Sequence, residues 1–364
     1  MHARSELIQR GWMTSSPDAK IPAISYLSSH FDRLPTHAIE AVQTHVDSLS
    51  EVETPKIKTH KAHNSYRTNK VHAVKGLMIC LHQTPSSAES YRALISALRQ
   101  LDPALCVVAL DTHGFGESLR LPHNGSCTIE ALATPLAEAV RTWMDVLSID
   151  QVHLCGHHTG ATLALELSHQ LASKVASLLL IGLPMLPPHA LEDYKAYTQR
   201  LRSSLRTTLI DEQRLIQSSS TIETSDSIYR HKVLEQIREV LRTKDPNASD
   251  ELIERELQAR IKAGEYLADV YDAVWAYDHQ SIIQTLQIPL YLVAPTKDKL
   301  SDYVDFQYQM MIDAGINVHI DRPNAGGYVL ETATDKLSHL IIQWLYQNDA
   351  HLGVHRQIND ESQS

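Results

Sequence analysis

Glycine and cysteine are scarce in this 364-residue chain, with 13 and 4 copies. No apolar run approaches the ~18–20 residues that a helix needs to span a bilayer, so no membrane segment is expected. The opening Met1-His2-Ala3-Arg4-Ser5-Glu6 leads into no apolar stretch of the kind that marks a secretory signal. Cys80, Cys106, Cys127 and Cys155 are too dispersed for a disulfide framework or a zinc site, and they fit reduced thiols in a cytoplasmic protein. A basic excess is also missing. Lys and Arg number 33 against 43 Asp and Glu, and the net charge of -10 argues against a nucleic-acid partner. No internal repeat and no low-complexity segment is found. What remains is 43% hydrophobic and 21% charged, the balance of a globular protein with a sizeable core. The length suits one large α/β domain with an insertion, or two modest domains.

The apolar pattern sorts the chain into elements. Ile39, Val42, Val46 and Leu49 recur at three- and four-residue spacing and predict a short amphipathic helix. Weak alternation around 52–59 and 65–74 predicts an edge hairpin. Gly76–Leu81 and Leu105–Leu110 are continuous apolar runs, as expected of parallel strands covered on both faces. Helical patterns follow each, over 90–101 and 128–147. Gln151–Cys155 and 176–181 read as further strands, with a helix over 161–171 between them. Alternating strands and helices call for right-handed crossovers and a parallel sheet. The alternation stops near Pro184, and 191–279 reads as almost entirely helical. Strands resume at 288–294 and 316–321, and a helix over 334–345 closes the pattern.

Six of the glycines fall in three short motifs that follow predicted strands. Gly156-His157-His158-Thr159-Gly160 has the frame of the G-x-S-x-G nucleophile elbow, with histidine in place of serine. Its flanking glycines suit a turn too tight for a Cβ. The second motif is Asp111-Thr112-His113-Gly114-Phe115-Gly116-Glu117-Ser118, and the third is Gly326-Gly327. Together with Leu81-His82-Gln83-Thr84-Pro85, these resemble the α/β-hydrolase superfamily over about residues 52–347. The resemblance implies a mostly parallel twisted sheet with helices on both faces and an inserted helical cap. Its expected parts are an N-terminal extension (1–50), the core in two pieces (51–184 and 286–347), the cap (185–285) and a polar tail (348–364).

Carried over position by position, the resemblance places His158 in the nucleophile slot and Asp298 in the acid slot, with Asp302 a weaker candidate. Gly327 stands where the base histidine belongs. A Ser–His pair cannot be assembled from these residues. An imidazole reaches farther than a serine hydroxyl, and Gly327 leaves space beside the acid. His158 is therefore expected to contact Asp298 directly, forming a general-base dyad. The Thr159 N–H at a helix N-terminus, with Gln83 and His82 in the loop after the 76–81 strand, is expected to bind a substrate oxygen. Gly327 and His157 are expected to line the pocket. His82, His113, His157 and His158 lack a local metal-ligand spacing, so no metal and no cofactor is expected. The implied function is hydrolysis or lyase chemistry on a small carbonyl-containing substrate. A catalytically silent binder of a small ligand or partner is the alternative.

Overall fold

The computed structural model describes residues 8–13, 24–29, 74–121, 127–217 and 226–348. The helix expected near 39–49, the hairpin over 52–73 and most of the polar tail lie outside these residues. Among the described residues eight strands form one sheet, in the order β1-β2-β4-β3-β5-β6-β7-β8. They are β1 (Gln9–Met13), β2 (Ile24–Ser28), β3 (Gly76–Leu81), β4 (Leu105–Leu110), β5 (Val152–His157), β6 (Val175–Ile181), β7 (Leu290–Val293) and β8 (Val318–Asp321). Every pairing from β4 to β8 is parallel, while β2 runs antiparallel to both β1 and β4. The sheet thus takes in two strands from the first 50 residues, which the sequence analysis set apart from the core. Each has only five residues, and β2 buries all five, two serines included, so neither shows readable alternation.

All six residues of β3 and of β4 are buried. Successive side chains point to opposite faces of a sheet, so each run divides between two half-cores. Leu77, Ile79 and Leu81 pack with Ala133 and Trp143 of α2 (Ile129–Leu147) and Leu163 of α3 (Thr159–Leu171). Met78 and Cys80 pack on the other face with Leu94 and Leu98 of α1 (Arg92–Leu101). Thr128 is the N-cap of α2, its hydroxyl accepting from the Ala131 N–H at 3.2 Å, so the helix starts one residue later than the pattern suggested. Cys80, Cys106 and Cys155 are buried and Cys127 is half-buried, and all four are free thiols.

Among the described residues five helices lie between β6 and β7: α4 (Pro188–Gln217), α5 (Asp226–Arg242), α6 (Asp250–Ala263), α7 (Tyr266–Ala276) and α8 (His279–Ile283). Proline opens α4, where its fixed φ suits the first turn and no N–H is needed. Leu241 of α5 and Leu252, Ile253 and Leu257 of α6 form a separate apolar cluster around Tyr328, in the loop after β8. Between β7 and β8 comes α9 (Val304–Asp313), and after β8 come α10 (Val329–Thr332) and α11 (Thr334–Asn348). Among the described residues no helix is long and apolar enough to cross a membrane.

Candidate active site

One residue, His158, separates the end of β5 from the start of α3. Its backbone sits at φ 49° and ψ -116°. For a residue with a side chain this conformation costs roughly 1–3 kcal/mol, and the surroundings must hold it in place. The His158 N–H donates to the Ile181 carbonyl at 2.9 Å, and its own carbonyl accepts from Ala161 N–H at 2.7 Å. A Cβ at Gly156 would overlap the backbone of Gly160, and one at Gly160 would overlap the Leu81 carbonyl. The steric role assigned to both glycines is observed.

Asp298 follows β7 and caps a short 3-10 turn over Lys299–Tyr303, its Oδ1 accepting from Leu300 N–H at 2.8 Å. Its Oδ2 lies 2.5 Å from His158 Nε2. Burial works to raise the carboxyl pKa. The charge and hydrogen bond of His158 and the Leu300 N–H outweigh it and hold Asp298 well below the usual carboxylate range. An ionised acceptor requires a proton on Nε2, so in the neutral ring the lone pair falls on Nδ1. Asp302 is exposed on the same turn and takes no part in this contact.

Room for the ring comes from a residue the sequence analysis passed over. Gly182 follows β6 at φ +57°, and a Cβ there would stand 2.5 Å from His158 Cδ2 and 2.8 Å from Nε2. Gly327 borders the pair on another side. A Cβ at that position would lie 3.4 Å from Asp298 Oδ2 and 3.6 Å from the Lys244 Cβ, both ordinary contact distances. Its N–H donates to the Lys244 carbonyl at 2.8 Å, tying the α5–α6 connection to the sheet edge.

His158, Thr159, Asp298 and Gly327 form the floor of a cavity of ≈ 420 Å³. The inserted helices roof it, with Tyr271 and Trp275 supplying apolar wall. Tyr266 and Tyr277 are buried in the core, with the Tyr266 ring 5.5 Å from that of Phe115. The roof also contributes Lys244 and Arg260, which the sequence analysis missed. A signal for Arg260 was available. It falls on the buried stripe of α6, two turns beyond Ile253 and about one beyond Leu257, where a charge is out of pattern.

Three expectations need correction. The His82 ring is buried and does not line the cavity. Its Nε2 accepts from Thr112 N–H at 3.0 Å while Nδ1 donates to the Gln83 carbonyl at 2.7 Å, so both nitrogens serve the loops. The Gln83 amide turns to Glu256 of α6, 3.4 Å away, and not to the cavity. His157 is not a lining residue. It lies beneath His158 with ring centroids 4.3 Å apart, buried, and among the described residues neither nitrogen has a hydrogen bond. Burial, then the adjacent His158, drives its pKa far down, so it is neutral. His113 is also turned aside, Nδ1 donating to the Leu119 carbonyl at 3.1 Å. The Asp111–Ser118 motif is structural: Asp111 is buried and accepts from Ala88 N–H at 2.6 Å, Glu117 N–H at 3.0 Å and Arg10 at 2.5 Å.

His157, His158 and Asp298 offer ligand atoms within 4.8 Å of one another. Two ligands of one tetrahedral zinc stand about 3.3 Å apart, given bonds of about 2.0–2.1 Å. The 2.5 Å His158–Asp298 separation is that of a hydrogen bond, so this trio is arranged as a proton-sharing pair above a buried ring.

A mostly parallel sheet with helices on both faces, and a hydrogen-bonded His158–Asp298 pair at the carboxyl ends of its strands, defines the class. The chain belongs to the alpha/beta hydrolase fold family, which matches residues 76–305. Similar solved structures include an epoxide hydrolase from Vigna radiata, with a TM-score of 0.60 and 14% identity, covering 94% of this chain and 99% of that one. A thermophilic esterase from Thermogutta terrifontis has a TM-score of 0.56 and 16% identity, with coverage of 93% and 98%. An enol-lactonase from Burkholderia xenovorans LB400 has a TM-score of 0.50 and 16% identity, with coverage of 74% and 91%. At these identities the likeness is one of fold. Among curated proteins none matches the chain.

Proposed function

We propose that the protein hydrolyses a small carbonyl compound, an ester or lactone, with water activated by the His158–Asp298 dyad. The observation that carries this reading is the 2.5 Å contact between His158 Nε2 and Asp298 Oδ2 at the floor of the cavity. It leaves Nδ1 as the basic nitrogen, with no hydrogen bond among the described residues. In this reading Nδ1 takes a proton from water as the oxygen attacks the carbonyl carbon. Charge then moves to the carbonyl oxygen, which the N–H groups at the start of α3 stabilise, Thr159 first. The imidazolium, balanced by Asp298, returns the proton to the leaving oxygen, and the carbon–oxygen bond breaks. One water is consumed, and acid and alcohol leave. Asp298 stays ionised throughout and acts by orienting the ring.

The test is turnover of a panel of aliphatic esters and lactones by wild type, His158→Gln and Asp298→Asn. Loss of the base is expected to lower kcat by about 10²–10⁴-fold. A single turnover in ¹⁸O-water should place the label in the product acid with no acyl adduct on the protein. Simple activated aryl esters should give no burst, and organophosphates should not label the site. His158→Ser combined with Gly327→His restores the residue types of a triad, and the Gly327 site has room for the Cβ. This double variant should exceed either single change non-additively. A covalent adduct on a serine of the wild type would sink the reading. No turnover across the whole panel would favour a silent binder.

A further inference from the structure

We infer that the substrate is a carboxylate, an acyl compound whose anionic end is held by Arg260 and Lys244 in the roof while its carbonyl meets His158. This deepens the hydrolase reading above and rests on it. Arg260 is 8% exposed and lines the cavity, and among the described residues its guanidinium makes no hydrogen bond and no ion pair. A buried charge left without a partner is expensive, and arginine is suited to a carboxylate by its planar fork of donors. Lys244 lines the same cavity and likewise has no carboxylate within ion-pair distance among the described residues. Its ammonium stands 5.6 Å from the Tyr328 ring centroid.

The carboxylates nearby are committed or remote. Asp298 has both oxygens engaged, by His158 and by Leu300 N–H. Buried Glu256 accepts from Ser86 at 2.7 Å and Gln83 at 3.4 Å, with Arg255 at 3.9 Å. Asp193 is exposed at the rim, where Lys297 and Lys299 are also exposed. Among the described residues the cavity is thus lined by four cations against two carboxylates, Asp193 and Asp298, in a chain whose net charge is -10. Focused positive charge in a concave site attracts anions and repels cations. Lys244 is adjacent to the reacting pair through Gly327, whose N–H it receives at 2.8 Å. A ligand with its charge on Lys244 and Arg260 and a short apolar chain beside Tyr271 and Trp275 thus reaches His158 within one cavity.

The probes are the monomethyl esters of malonic, succinic, glutaric and adipic acids, each paired with its uncharged dimethyl ester. Binding is measured by isothermal titration and by thermal shift, on wild type and on His158→Gln, Arg260→Gln, Arg260→Lys and Lys244→Met. At least one half-ester should bind wild type about tenfold or more tightly than its diester, the effect of one charge-assisted hydrogen bond. Arg260→Gln and Lys244→Met should each erase most of that ratio, and Arg260→Lys should keep part of it if Arg260→Gln fails to fold. His158→Gln should retain the ratio, because it removes the base and neither cation. Half-esters that bind with this ratio but are never hydrolysed would overturn the dyad reading alone. Equal or tighter binding of the diesters, a ratio unaffected by Arg260→Gln, or no binding of any half-ester would overturn the carboxylate.

Discussion

The floor and the roof of the cavity are built on different physical rules. On the floor, backbone sterics leave almost no choice. His158 sits at a left-handed φ on a one-residue turn, and three glycines, 156, 160 and 182, clear the backbone and ring around it. The roof is made mostly of helices, whose backbone accepts most residue types, so side-chain contacts decide more there. There the polar groups engage through long, adjustable side chains: Arg202 bridges Asp269 and Asp272, each at 2.5 Å, and Arg206 reaches Glu265 at 2.6 Å. Such exposed pairs contribute little individually. A floor change should therefore be severe and local, and a roof change graded.

The largest effect is expected at Gly182. Gly182→Ala puts a Cβ 2.5 Å from His158 Cδ2, on a backbone that L-residues rarely adopt. The ring must move off Asp298, and a misplacement of about 1 Å can cost on the order of 10²-fold in rate. Overpacking and strain should also lower stability by about 1–3 kcal/mol. Kinetics on the best ester of the panel, with a urea titration, checks both. Wild-type kcat in Gly182→Ala would mean that the observed ring position is not the working one.

The same asymmetry explains what the sequence made legible. The continuous apolar runs of β3 and β4, the helices after them and the turn at His158 are local consequences of spacing and glycine placement, and all were readable. So was the His158–Asp298 pairing, because removing one ring at Gly327 and adding another at His158 leaves a single consistent geometry. Gln83 and His82 were misread because their partners come from elsewhere in the chain. Glu256 lies 173 residues from Gln83, and Thr112 lies 30 from His82. Lys244 was invisible for the same reason, since nothing in its neighbourhood marks a residue that the fold carries to Gly327. Gly182 was legible in principle, as a glycine directly after a strand, but it belongs to no recurring motif.

Floor and roof meet at His279, and pH probes that joint. His279 Nε2 accepts from the Thr162 hydroxyl of α3 at 2.9 Å, and Nδ1 donates to the Tyr277 carbonyl at 3.1 Å. Burial pushes its pKa down to about 4, with the Tyr277 carbonyl and Asp278 opposing. A histidine whose folded pKa is depressed binds protons more readily when unfolded. Its contribution is complete above about 6.5, the unfolded value, and is lost as pH falls toward about 4. Between pH 7 and pH 5 this one residue should remove about 2 kcal/mol of stability. Buried His113, also near 4, adds to the wild-type slope. The comparison is therefore wild type against His279→Gln, by urea titration at both pH values. The variant should lose less stability on acidification by about that amount; parallel losses would show that His279 is not the titrating joint.

The smallest effect is expected within the roof. Trp275 Nε1–H of α7 donates to Thr198 Oγ1 of α4 at 2.9 Å, and that hydroxyl donates to the Tyr194 carbonyl at 3.1 Å. Thr198→Val keeps the shape and removes both bonds. A net loss of about 1 kcal/mol follows, since each such bond is worth about 0.5–1.5 kcal/mol and the indole N–H is only part-buried. Urea unfolding followed by tryptophan fluorescence measures it. Turnover should stay at the wild-type level, because no floor residue touches Thr198 in the hydrogen-bond network. If this conservative change instead lowered kcat as far as Gly182→Ala does, the roof would be setting the geometry of the base. The division between a sterically fixed floor and an adjustable roof would then have to be abandoned.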